Sequence, residues 1–109
     1  MPDRQPDADD RFDHRKFDAV ISSPVRLAVL SLLVSAGECG FTFLRDNTAA
    51  TDGNLSRHLA KLEESGLIEV SKRFEGKKPV TTQKVTVKGR EALRSYVKNL
   101  EDLLGGVSK

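Results

Sequence analysis

Residues 51–65, TDGNLSRHLAKLEES, closed by Gly66, constrain the fold of this chain more than any other stretch. Leu55, Leu59 and Leu62 recur at the helical period, which predicts an amphipathic helix with a narrow buried stripe. Thr51 is placed to cap its start, because a hydroxyl there accepts from an amide of the first turn that has no helical partner. Gly66 is placed to stop it, since glycine tolerates the left-handed conformation that ends helices. The opposite face carries Asn54, Arg57, His58 and Lys61, none of which a helix selects for stability alone. Gly53 in the first turn costs up to about 1 kcal/mol relative to alanine. Such a glycine is more readily kept where something must come close to the backbone. Short polar and basic groups at a helix N-terminus fit a DNA major groove. An ordinary solvated helix face fits them as well, so the surrounding chain has to decide.

The chain has 109 residues, enough for one domain with a modest core. No apolar run reaches the length of a membrane span, and the first residues are Asp-rich rather than signal-like. A single cysteine, Cys39, permits no internal disulfide and suits a reducing cytosol, so a cytoplasmic location is expected. Net charge is only +2, but it is unevenly spread. Residues 1–13 hold five aspartates against Arg4 and Arg11, whereas residues 53–90 hold nine Lys or Arg against four Glu. A local basic region on a near-neutral chain points toward nucleic acid more than overall pI does.

Residues 1–13, with two prolines and little apolar content, are expected to form a disordered acidic tail. Phe17, Val20 and Ile21 suggest a short helix over 14–22. Ser23 and Pro24 then read as an N-cap with proline at the first helical position, opening a core helix over 25–36 that is apolar on most sides and ends at Gly37. Residues 38–40 read as a turn and Phe41–Thr42 as a very short strand, after which Thr42 can cap a short helix to about Thr48. This helix, a tight turn and the 51–65 helix make a helix-turn-helix pattern. From Ile68 to Phe74, and again from Val80 to Val87, apolar and polar residues alternate with the β period, predicting an antiparallel hairpin. Its turn carries Lys77 and Lys78. Those lysines suit DNA phosphates, and together with Pro79 they also discourage edge-to-edge aggregation. A last helix begins at residue 88 or 89 and runs to 104. Its stripe of Leu93, Tyr96, Val97, Leu100, Leu103 and Leu104 exceeds what so small a core needs, which favours packing against a second copy. Residues 105–109 read as a flexible end.

With this order of elements the chain resembles the small winged-helix DNA-binding regulators related to the MarR (multiple antibiotic resistance) type. The resemblance rests on Ser23-Pro24-Val25-Arg26-Leu27, on Phe41-Thr42-Phe43-Leu44, on residues 51–63 as the most specific segment, and on residues 86–93. It implies an α+β, mainly α fold: a winged helix-turn-helix with a two-stranded β-wing and a long C-terminal dimerisation helix, over residues 14–104. It further implies transcription regulation by a homodimer, with helix 51–65 in the major groove and wing 72–82 on the backbone or minor groove of double-stranded DNA. Residue by residue, DNA contact falls on Thr51, Asp52, Gly53, Asn54, Arg57, His58 and Lys61, and in the wing on Arg73, Lys77 and Lys78. Dimer contacts fall on Leu93, Tyr96, Val97, Leu100, Leu103 and Leu104. Ala49-Ala50 departs from the pattern, being small where such proteins often place a larger apolar residue.

Catalysis is not expected, because His14 and His58 lie far apart with no arranged nucleophile or glycine-rich phosphate loop. No cofactor or metal is expected either, since one Cys and two distant His make no ligand cluster. Cys39 reads either as a redox-sensing thiol or as a small buried apolar group. The competing functional reading is a winged helix used only for protein docking, which would favour apolar anchors at Asn54, Arg57 or Lys61.

Overall fold

The computed structural model describes residues 10–105. Its centre is α1 (Pro24–Ala36), opened by Ser23, whose side chain accepts from the Arg26 amide, with Pro24 just inside. The helix is less enclosed than expected. Val29, Leu30 and Leu33 are fully buried, whereas Leu27, Leu32 and Val34 are only half-buried on its flanks and Ser31, Ser35 and Ala36 are exposed. One face of α1 therefore serves as the floor on which the other elements meet.

The helix-turn-helix forms from α2 (Phe41–Thr48) and α3 (Asp52–Glu64), both packed on α1. Leu44 of α2 joins Leu55, Leu59 and Leu62 of α3 in the core with Ile21, Leu67 and Ile68. Burying a leucine is worth about 1.5–3 kcal/mol, so this stripe fixes the rotation of α3 about its axis. Thr51 accepts from the Asn54 amide, the cap expected of it. Between the helices Ala49 adopts φ 58 and ψ 22, a left-handed cap without glycine, and Ala50 packs on the core.

The sheet has three strands rather than two, in the order β1 (Glu38–Gly40), β3 (Lys78–Val85), β2 (Ile68–Glu75). Residues 38–40, expected as a turn, pair with Thr82–Lys84 and cover the outer edge of β3. Phe41 and Thr42, expected as a strand, instead begin α2, and its N-cap is Gly40, not Thr42. Three residues are too few for the alternation that betrays a strand. The β2–β3 hairpin runs from Ile68↔Val85 to Glu75↔Lys78, closed by Gly76-Lys77. Gly76 has φ +65 at the first central position, which a type II′ turn requires.

Residues 14–22 do not form an α-helix. The chain makes two 3-10 turns, Asp10–Phe12 and His14–Lys16, and then a turn around Asp18. The cause is local competition for amides: Asp13 accepts from the Arg15 N–H, and Asp18 from the Val20 N–H. Most of the acidic tail expected over 1–13 lies outside the described residues, but residues 10–12 pack against the last helix, α4 (Val87–Gly105). Phe17 meets Tyr96 of α4 edge-on at 5.7 Å. Of the expected flexible end, Gly105 belongs to α4 and residues 106–109 lie outside the described residues.

The start of α4 is tied to the end of α3. The Thr86 hydroxyl accepts from the Gly89 N–H at 3.0 Å and donates to the Gly66 carbonyl at 2.7 Å. Lys88 Nζ donates to the Ser65 carbonyl at 3.0 Å, satisfying one of the carbonyls that every helix end leaves open. Gly89 is fully packed: a methyl group there would stand 2.1 Å from the Leu67 carbonyl oxygen.

Candidate nucleic-acid interface

With Leu55, Leu59 and Leu62 turned inward, α3 presents Asp52, Gly53, Ser56, Arg57, Ala60 and Lys61 to solvent. A Cβ at Gly53 would meet nothing within 4 Å, so no contact inside the protein accounts for the glycine. The expected contact residues do not all stand in the same condition. Arg57 is exposed, and its guanidinium donates to the Asn54 Oδ1 at 2.6 Å, so the two candidate base readers form one hydrogen-bonded unit on the helix surface. Lys61 is exposed beside Glu64 at 3.8 Å, a loose surface pair of small energetic value. Asp52 is held by Arg45 of α2 at 3.0 Å and favours the helix start through the dipole.

His58 departs from the expected outward cluster. It is half-buried, with Nδ1 2.9 Å from Arg26 Nη1 of α1, while Arg26 Nε donates to the Val20 carbonyl. Arginine is always a donor, so the imidazole accepts and is neutral in this arrangement. Burial first, then the charges of Arg26 and Arg57, push its pKa below the ordinary histidine value. Arg26 thus belongs to the site, although its sequence position marked it only as part of a helix start.

The wing divides by strand parity. On one face, Arg73 reaches Glu38 of β1 at 2.5 Å and Glu75 at 3.5 Å, and Thr82 donates to the same Glu38 carboxylate. These bonds, that of Thr82 first, hold the Glu38 carboxyl below its ordinary pKa. Arg73, expected on DNA, therefore clasps the root of the wing to β1. The other face, which carries Ile68 and Val70, continues outward through Lys72 and Phe74. Lys77 and Lys78 occupy the turn and the first position of β3, and among the described residues no ion pair engages Lys72, Lys77 or Lys78. The β period of residues 68–74 contained the signal that Arg73 and Phe74 point to opposite faces.

The architecture of α1, α2, α3 and hairpin, with basic side chains on α3 and at the hairpin tip, matches a winged helix DNA-binding domain over residues 25–104. The chain belongs to that family. This winged helix is 40% identical to the uncharacterized protein MJ0432 of Methanocaldococcus jannaschii over 78 residues, 72% of this chain and 85% of that protein. In fold it is similar to a transcriptional regulator homologue from Pyrococcus horikoshii OT3, with a TM-score of 0.83 and 23% identity over 93% of this chain and all of that one. It is also similar to a MarR-family regulator from Silicibacter pomeroyi, with a TM-score of 0.60 and 17% identity over 84% of this chain and 59% of that one. The family is non-enzymatic, and DNA binding is what its fold implies. No helix among the described residues is long and apolar enough to cross a membrane.

Cys39 is buried at 5% exposure. Burial, and then the Glu38 carboxylate, push its thiol pKa up, which leaves little of the thiolate that redox sensing needs.

Proposed function

We propose that the chain is a homodimeric transcription regulator acting inside the cell, which reads double-stranded DNA with α3 in the major groove and wing 72–82 on the backbone or minor groove. The observation that carries this reading is the outer face of α3, where an open Gly53 precedes the joined Asn54–Arg57 pair and Lys61 while every leucine is turned inward. A guanidinium grips guanine and a carboxamide grips adenine through paired hydrogen bonds, so this pair supplies sequence reading. Lys61, Lys77 and Lys78 neutralise phosphates and release counterions, supplying affinity that falls with salt. A domain this small offers few base contacts, and a two-fold pair on a palindromic site doubles them.

The test begins with genomic fragments selected by the wild-type protein. Arg57→Ala should lose about 1–3 kcal/mol on the selected duplex and little on a scrambled one. The double variant Lys77→Ala, Lys78→Ala should weaken both duplexes alike and flatten the salt dependence. Equal losses on both duplexes for Arg57→Ala would refute base reading, and a wild-type chain indifferent to DNA at low salt would leave protein docking as the role of the fold.

A further inference from the structure

The tip of the wing carries an apolar element that phosphate contacts leave unused. Phe74 is 72% exposed and stands directly across from Pro79 in the β2–β3 register. A single exposed apolar residue is ordinary, so its neighbours decide the matter. Lys72 lies two residues back on the same face, Lys77 stands in the turn just beyond, and Lys78, paired with Glu75, flanks the tip from the opposite face. A wholly apolar partner would have to strip water from the Lys72 and Lys77 ammonium groups to reach the ring. A minor groove matches both chemistries: phosphates line its rims, and sugar and base edges form its interior. Behind the tip, the clasp of Arg73 and Thr82 on Glu38 anchors the root of the wing from the opposite face.

We propose that Phe74, backed by Pro79, is an apolar wedge that enters the minor groove and partly unstacks one base step, with Lys72, Lys77 and Lys78 bracketing it on the phosphates. Side chains of this kind kink duplexes by entering between base pairs. The inference rests on reading α3 and the wing as a DNA interface and adds a selectivity that α3 does not supply. Pyrimidine–purine steps unstack most readily, so sites with a TA or CA step beneath the wing are favoured although no hydrogen bond reads that step.

The experiment uses the full chain and a selected duplex in which 2-aminopurine is moved stepwise through the region flanking the α3 contacts. Wild type should brighten the probe at one flanking step. Phe74→Ala should leave every position dark and bind about tenfold more weakly, with the salt slope of wild type, because no charge is removed. Phe74→Trp should restore both affinity and fluorescence. The wedge is overturned if wild type binds and every flanking position stays dark, or if Phe74→Ala keeps the bright step. It is overturned too if Phe74→Ala changes the salt slope along with the affinity. A wild-type chain that binds no duplex would remove the interface itself, an outcome distinct from binding without unstacking.

Discussion

His58 is where α3 touches the core helix α1, and its protonation state matters for folding. Its folded pKa lies below the ordinary value of 6.5, so the unfolded chain takes up a proton first as pH falls. The contribution of neutral His58 is fully present above that value and is lost as pH falls through it toward the lower folded pKa. Chemical denaturation at pH 7.5 and 5.5 should therefore show lower stability at the acid end, and His58→Gln should reduce the difference. An unchanged difference would show that the Arg26–His58 bond has no such role. Ala49 makes a second local prediction. Its left-handed backbone strains any residue with a Cβ by about 1–2 kcal/mol, partly offset by the greater freedom glycine has when unfolded. Ala49→Gly should raise stability by roughly 0.5–1 kcal/mol, read as a higher Tm. Neither feature was legible in the sequence, where Arg26 is remote from His58 and two alanines carry no mark of backbone angle.

At the level of elements, periodicity succeeded where segments were long. The leucines of α3 and the alternation of β2 and β3 gave their elements because each repeats over several residues against one core. It failed where a few residues decided. At 14–22, Asp13 and Asp18 diverted amides into tight turns, and at 38–40 a strand was too short to alternate. Gly89 shows a constraint that comes from tertiary packing alone. Alanine is ordinarily the better helix former, yet here its methyl group would strike the Leu67 carbonyl. Gly89→Ala should thus destabilise by about 1–3 kcal/mol, seen as a lower denaturation midpoint. A gain in stability would show that α4 shifts freely against Leu67 and Val85.

For the whole molecule, the expected dimer stripe divides. Leu93 and Tyr96 pack on the chain's own core, while Val97 and Leu104 are 41% and 50% exposed. Val97 also lines, with Val34 and Leu93, a groove of about 450 Å3 between α1 and α4, edged by Arg90, Arg94 and Lys98. If a second copy covers this face, Val97→Glu should shift the sedimentation mass from two chains to one, with Leu100→Glu as a second probe. An unchanged mass would exclude this helix from assembly. The candidate site was legible as a list of residue types on α3, because a helical wheel separates leucines from cations. Its pairings were not, since Arg45, Glu38 and Arg26 approach from other elements. Thr86 and Lys88 join the start of the last helix to the carbonyls of Gly66 and Ser65 just after α3, so the two helices are tethered at one corner. Any displacement of the first turn of α4 must stretch or break these two bonds, so the last helix cannot be reseated without disturbing the corner where α3 ends.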